Sequence, residues 1–184
     1  MTLIQIRGTS GSGKSTAMRS VMGYLDNWIS HYEPGRKKPL YYQLKYPVNT
    51  LVLGHYESPC GGCDTIGSAP QVFSVCRSLG TKFKHVLCEG LLLSEDTKHI
   101  LAYHREVSAD VKILFLVTGQ AECLTKIQKR RDMNGQTKPL DPTNTVNRIQ
   151  VIERARRKLT AAGIHCRRAS CSQAPRIIQS WIGV

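Results

Sequence analysis

The sequence predicts an α/β fold, a three-layer sandwich of helices about a mostly parallel five-stranded sheet. Two observations carry that reading. Short β-rich runs alternate with stretches of helical periodicity along the whole chain, the order that builds parallel sheets. The chain has 184 residues, 41% of them hydrophobic, which suits one domain with a complete core and excludes a disordered chain. Residues 1–184 are therefore expected to form a single domain.

The elements follow in order. Leu3–Arg7 is a β-rich run ending at Gly8. From Lys14 the chain reads as a helix to about Ser30, with Ala17, Val21, Leu25 and Trp28 on one face. Glu33–Pro39 is a connector rich in Pro, Gly and basic residues. Leu40–Tyr46 and Thr50–Tyr56 are β-rich and fit a hairpin about Pro47-Val48-Asn49. A Gly/Cys/Pro-rich loop, Glu57–Ser68, leads to a helix over about Ala69–Leu79. Lys84–Glu89 is a buried strand. Ser94 is expected to cap a helix running to about Val107, with Glu95 and Asp96 in its first turn. Val111–Val117 is a strand and Glu122–Asp132 a basic helix. Met133–Thr145 reads as a loop, Asn147–Ala162 as a helix stopped by Gly163, Ile164–Arg168 as the last strand and Pro175–Ile182 as the last helix.

Composition narrows the function classes. No apolar run approaches a membrane span, and the N-terminus passes directly into a strand, so the expectation is a cytoplasmic protein with no membrane partner. Seven cysteines without a secretion signal are expected as reduced thiols. Lys and Arg number 26 against 13 Asp and Glu, a formal charge of +13. Such a surplus favours a polyanionic partner through steering and counterion release.

The most specific motif is Gly8-Thr9-Ser10-Gly11-Ser12-Gly13-Lys14-Ser15, a complete G-x-x-x-x-G-K-[ST] between a strand and a helix. Glycines let the backbone curl so that its N–H groups face phosphate oxygens, and the helix that follows presents its positive end to the same anion. Lys14 is a point charge for the β- and γ-phosphates of ATP. Ser15 supplies a hydroxyl to Mg²⁺, and Thr16 a backbone contact behind it. His85-Val86-Leu87-Cys88-Glu89-Gly90 reads as a strand ending in an acid, where enzymes with this loop place a carboxylate for the Mg²⁺ shell.

Gly54–Thr65 is the least generic stretch. It offers two acids, Asp64 and Glu57, either of which could orient an acceptor hydroxyl and take its proton; Asp64 also fits a helix cap or turn. Cys60 and Cys63 form one C-x-x-C with no second pair, which favours turn geometry over a zinc site. A basic helix carrying Lys126, Lys129, Arg130 and Arg131 precedes a loop, and Arg130 and Arg131 are the candidates for stabilising charge on a transferring phosphoryl group. Arg167 and Arg168 near the last strand could face an adenine or a nucleic acid.

Phosphate loop, strand-end Glu-Gly and basic helix together resemble the P-loop kinases that include nucleoside, gluconate and polynucleotide kinases. That resemblance implies a P-loop NTPase fold with a kinase-type lid at about residues 130–146; no N-K-x-D follows Val117 to suggest GTP. A narrower resemblance, through compact size, the N-terminal phosphate loop and Cys60-Gly61-Gly62-Cys63-Asp64, is to the bacteriophage kinases that phosphorylate 5-hydroxymethyluracil within DNA. It implies ATP-dependent transfer to the hydroxymethyl group, giving an ester that serves as a leaving group in thymine hypermodification. It further implies DNA with a modified base as partner and the host cytoplasm as location. Lys14 and Ser15 carry over as ATP and Mg²⁺ residues and Asp64 as the acceptor-side acid. A base in duplex DNA has to be flipped out, and Tyr41, Tyr42, Tyr46, Tyr56 and Phe73 are candidate stacking surfaces. The residues alone also fit a kinase of a free nucleoside, nucleotide or other small hydroxyl substrate, a polynucleotide 5′-hydroxyl kinase, or a nucleotide-sensing DNA-binding module.

Overall fold

The structure, a computed structural model, describes residues 1–58 and 61–184. Its centre is one sheet of β1 (Thr2–Arg7), β2 (Ile29–His31), β3 (Tyr41–Leu44), β4 (Thr50–Leu53), β5 (His85–Glu89), β6 (Asp110–Leu116) and β7 (His165–Ala169). The spatial order is β2-β3-β4-β5-β1-β6-β7. Neighbours from β4 through β7 are parallel, whereas β2–β3 and β3–β4 are antiparallel. The α/β class and the mostly parallel sheet are as expected, but among the described residues the sheet has seven strands rather than five. Five form the parallel body; the other two are the hairpin strand β3 and an edge strand, β2, which the sequence places inside the first helix.

That helix ends early for local reasons. The first helix, α1, spans Lys14–Tyr24 and not Lys14–Ser30. Asn27 adopts a left-handed φ of 70°, a conformation Asn tolerates better than most residues and one that cannot continue a helix. Trp28 Nε1 donates to the Met22 carbonyl (2.9 Å), satisfying an acceptor the last turn leaves open. The chain is then free to pair Ile29–His31 with β3.

The other helices are α2 (Ala69–Gly80), α3 (Leu91–Ser94), α4 (Lys98–Val107), α5 (Gln120–Met133), α6 (Thr143–Ala161) and α7 (Ala174–Ile182). One face of the sheet packs Leu3, Val86 and Ile113 against Phe73 of α2, Ile100 and Tyr103 of α4, and Ile152 and Leu159 of α6. The other packs Ile4, Ile6 and Leu87 against Met18 and Val21 of α1 and Ile177 and Ile178 of α7. The alternation of Leu3 with Ile4 along β1 is the period-two pattern of a strand buried on both faces.

Ser94 does not cap the fourth helix, contrary to the sequence. It ends α3; the N-cap position of α4 is Thr97, and Asp96 just before it accepts with its carboxylate from the first-turn N–H of His99 (3.4 Å) and Ile100 (3.0 Å). The hydroxyl of Ser94 is used elsewhere, as described below. Among the stacking candidates, Tyr42, Tyr56 and Phe73 are buried, and Tyr41 stacks on His31 with ring centroids 4.4 Å apart. Tyr46 is 84% exposed but follows Leu44, which pairs with Thr50 at the amino end of the parallel strands. Packing thus claims most of this aromatic set, and the exposed one faces away from the carboxyl ends of the strands. No described helix is long and apolar enough to cross a membrane.

Candidate active site

Parallel strands open their carboxyl ends on one side of the sheet, and β1 lies between β5 and β6, with Ile6 opposite Glu89. The loops leaving β1 and β5 therefore meet at the crevice where α/β sheets bind ligands. A cavity of about 540 Å³ lies there. Its walls include Ser10, Gly11, Gly13, Lys14, Ser15 and Thr16 from the first loop, Glu89 and Leu91 after β5, Gly61, Asp64 and Thr65 from the Gly/Cys loop, and Lys126, Arg130 and Cys171.

The Gly8–Ser15 segment wraps tightly. Gly13 immediately precedes α1 with φ 96°, and a Cβ there would lie 2.4 Å from Cys171 Sγ. Lys14 is buried and donates to the carbonyls of Gly8 (2.8 Å) and Thr9 (3.0 Å). Burial holds its pKa below the usual lysine value, against the pull of Glu89 and Asp64. The ammonium is thus parked on the loop's own oxygens, within the curve of the α1 N-terminus.

Ser15 Oγ donates to Glu89 Oε1 at 2.8 Å. The two residues expected to share Mg²⁺ therefore meet directly, although they are 74 positions apart. Glu89 is buried at the end of β5, and burial raises its pKa while Lys14 and Ser15 act to lower it. A hydroxyl and a carboxylate are hard oxygen donors and fit a Mg²⁺ that keeps most of its water shell. Gly62 makes room for this pair: its φ is 71°, and a Cβ would lie 2.4 Å from Glu89 Oε1.

Asp64 lies in a single 3₁₀ turn, Cys63–Thr65, at the exposed wall of the cavity. Its Oδ2 accepts from Leu91 N–H (2.9 Å) and its Oδ1 from Leu92 N–H (3.0 Å), fixing both oxygens at the start of α3. Each oxygen retains a further lone pair. Glu57, the other candidate, is exposed, is not among the residues lining the cavity, and lies near Tyr42 and His55. Cys63 is buried, with its thiol toward the Leu53 carbonyl (3.7 Å); Cys60 lies outside the described residues.

Arg130 and Arg131 part company. Arg130 lines the cavity, whereas Arg131 donates to the Lys138 carbonyl (2.5 Å) in the 134–142 connector between α5 and α6. Lys126, which the sequence did not single out from its helix, lines the cavity with Arg130. The i, i+4 spacing places those two on one helix face, and Arg131 lies about 100° round from it. The sequence also missed Ser94 and Arg19. Ser94 Oγ accepts from Gly8 N–H (3.1 Å) and donates to the Gly90 carbonyl (2.8 Å). Arg19 donates to the carbonyls of Tyr56 (3.1 Å) and Ser58, holding the start of the Gly/Cys loop against α1. A neighbouring cavity of about 520 Å³ shares Thr16 and Cys171 with the first and is otherwise walled by residues such as Thr118 and Ser172. Arg168 lines a separate cavity of about 170 Å³ beside Gly8 and Thr9.

An anion cradle, a part-buried hydroxyl–carboxylate pair, a fixed acid and two cations around one cavity are the parts a phosphotransferase needs. Comparison with known proteins gives the class and then the family. No family model matches the chain. The 5-hmdU DNA kinase of Pseudomonas phage PaMx11 is 36% identical over 167 residues, covering 88% of this chain and 87% of that protein. Likeness of that degree over nearly all of both chains identifies a kinase; the chain belongs to the 5-hmdU DNA kinase family.

Proposed function

We propose that this protein is an ATP-dependent kinase of the P-loop NTPase fold. It transfers the γ-phosphoryl group to the hydroxymethyl oxygen of 5-hydroxymethyluracil in DNA, a step in thymine hypermodification. The observation that carries the reading is the single cavity onto which the Gly8–Ser15 loop, Glu89 and Asp64 all open, in a chain so similar to a 5-hmdU DNA kinase.

The β- and γ-phosphates lie in the curve of Gly8, Thr9, Ser10, Gly11, Ser12 and Gly13, against the backbone N–H groups and the amino end of α1. Lys14 exchanges the carbonyls of Gly8 and Thr9 for phosphate oxygens. The nucleoside extends toward the cavity walled by Thr16, Thr118 and Ser172. Ser15 and Glu89 would hold Mg²⁺, whose charge offsets that of the phosphates.

Asp64 orients the acceptor hydroxyl and accepts its proton as the oxygen–phosphorus bond forms. The bond from γ-phosphorus to its bridging oxygen breaks, and that electron pair leaves with ADP. Arg130, with Lys126, neutralises the charge spread over the transferring group. The 134–142 connector acts with the end of α5 as a lid over the cavity, held through Arg131.

The test is transfer of labelled γ-phosphate from ATP to closed circular DNA containing 5-hydroxymethyluracil, beside unmodified DNA and a pool of free nucleosides and nucleotides. Label in the modified DNA alone is the expected result. Label only in the free pool would keep the kinase and overturn the DNA acceptor, and a closed circle that accepts label excludes a 5′-end kinase.

A further inference from the structure

The strand β2 that the sequence did not predict has a consequence for substrate binding. β2 and β3 form an edge hairpin whose tip, residues 32–40, rises on the same side of the sheet as the cavity, because His31 pairs with Tyr41 and Tyr41 with Leu53 at the carboxyl end of β4. Leu40 fixes the base of the tip. Its N–H donates to the His31 carbonyl (2.8 Å), and its own carbonyl accepts from Gly54 N–H (2.7 Å), where the Gly/Cys loop begins. Arg36 donates to the carbonyl of Thr65, a residue of the cavity wall, at 3.4 Å. Lys38 Nζ lies 3.4 Å from His55 Nε2.

The tip carries a local excess of positive charge. Between Asn27 and Tyr56 the only acid is Glu33, against Arg36, Lys37, Lys38 and Lys45. Elsewhere Arg77, Lys112, Lys126, Arg148, Arg156 and Arg157 have carboxylate partners, while exposed Arg154 and Lys158 on α6 are, among the described residues, in no ion pair either; what distinguishes the tip is its contact with the cavity wall through Arg36 and Thr65. Among the described residues neither Lys37 nor Lys38 is in an ion pair, and both are exposed. Tyr32, 55% exposed, stands at the foot of the same tip. Exposed, uncompensated cations gathered at the rim of a cavity are the electrostatic footprint of a polyanion.

We propose that the β2–β3 hairpin tip is a DNA-gripping arm. Lys37 and Lys38 bind backbone phosphates flanking the target nucleotide while its base enters the cavity past Thr65, with Tyr32 beside the displaced strand. The inference rests on the DNA-kinase reading and adds where the duplex is held.

Its test compares wild type, a Lys37→Gln/Lys38→Gln double variant, and an Arg154→Gln/Lys158→Gln variant that removes the same charge from exposed positions of α6. Measurements are the Kd for a 5-hydroxymethyluracil duplex across a salt series, phosphoryl transfer to it, and the KM for ATP. The hairpin variant is expected to bind DNA at least about tenfold more weakly, with the slope of log K against log salt reduced by about 2. Its KM for ATP and its kcat at saturating DNA should stay at wild-type values, and the α6 variant should bind as wild type does. Equal losses in both variants would reduce the effect to net charge, and no loss in the hairpin variant would remove the arm; either overturns the proposal. A wild type that neither binds nor labels the duplex fails at the earlier step and sinks the DNA reading itself.

Discussion

Asp64 and Leu91 are joined by a hydrogen bond of 2.9 Å from the Leu91 N–H to the Asp64 carboxylate, so the acid of the Gly/Cys loop is held by the segment that follows Glu89. The bond from Leu92 N–H holds its second oxygen, and Asp64 cannot rotate without releasing both. An acid fixed in this way keeps one orientation toward the cavity, as the proposed base requires.

Asp64→Asn follows directly. An amide offers one acceptor oxygen where two N–H groups need one each, so the start of α3 loosens and the proposed base is lost together. Transfer should fall by roughly 10²–10⁴-fold, the usual contribution of a general base, with the KM for ATP changed little. A kcat close to wild type in steady-state assays would move the base assignment to Glu57.

Glu89→Gln separates stability from function. Burial raises the pKa of Glu89, so its ionised form is disfavoured in the folded state relative to the unfolded one. The native state then binds its proton more tightly, and stability falls as pH rises from the unfolded pKa through the folded one. Relative to Glu89→Gln, the wild-type thermal midpoint should match at pH below about 4. It should fall behind as pH rises from there through the raised folded-state pKa and then stay level, in the absence of nucleotide and metal. The same variant should lose the response of its transfer rate to added Mg²⁺. A midpoint difference that does not change with pH would show that ionised Glu89 carries no net penalty of burial.

The two neighbouring arginines give a contrast. Arg130→Ala removes a cation from the cavity wall and should lower kcat by about 10²–10³-fold, the range for losing one charge-stabilising donor. Arg131→Ala instead releases the Lys138 carbonyl, and its primary effect should be faster amide hydrogen exchange in residues 134–142. A larger kcat loss for Arg131→Ala than for Arg130→Ala would reverse their roles.

Gly62→Ala should be severe for a residue that carries no chemistry. A side chain at φ 71° costs about 1–3 kcal/mol from the backbone alone. Its Cβ would also press on Glu89 Oε1 and pull that carboxylate from Ser15. Denaturant unfolding and the Mg²⁺ dependence of transfer should both shift. A change in stability alone would mean that the carboxylate can move aside and keep its role.

How much of this was readable in the chain depends on how local the cause is. The Gly8–Ser15 loop and the strand-end position of Glu89 rest on neighbouring residues, and both emerged from the sequence where the structure has them. The end of α1 was harder, because Leu25 and Trp28 continue the helical period and only the left-handed Asn27 breaks it. Three residues, Ile29–His31, are too short a run to announce a strand, so β2 and the true strand count were hidden. Ser94 has the look of a helix cap, yet its hydroxyl is taken by the local Gly90 carbonyl and by the distant Gly8 N–H. The union of Asp64 with Leu91 and Leu92 spans 27 and 28 positions, and no pattern in the chain encodes it.

The hydroxyl of Ser94 touches the first residue of the nucleotide-side loop and the residue just after Glu89, whose neighbours Leu91 and Leu92 hold Asp64. In the proposed reading, the donor and acceptor halves of the cavity are two jaws on one pin. A ligand that stiffens one jaw lowers the entropy still to be lost by the other, and thermodynamic reciprocity requires the benefit to be equal in both orders of arrival. On that reading, each substrate is expected to bind more tightly once the other is in place, without any rearrangement of the fold.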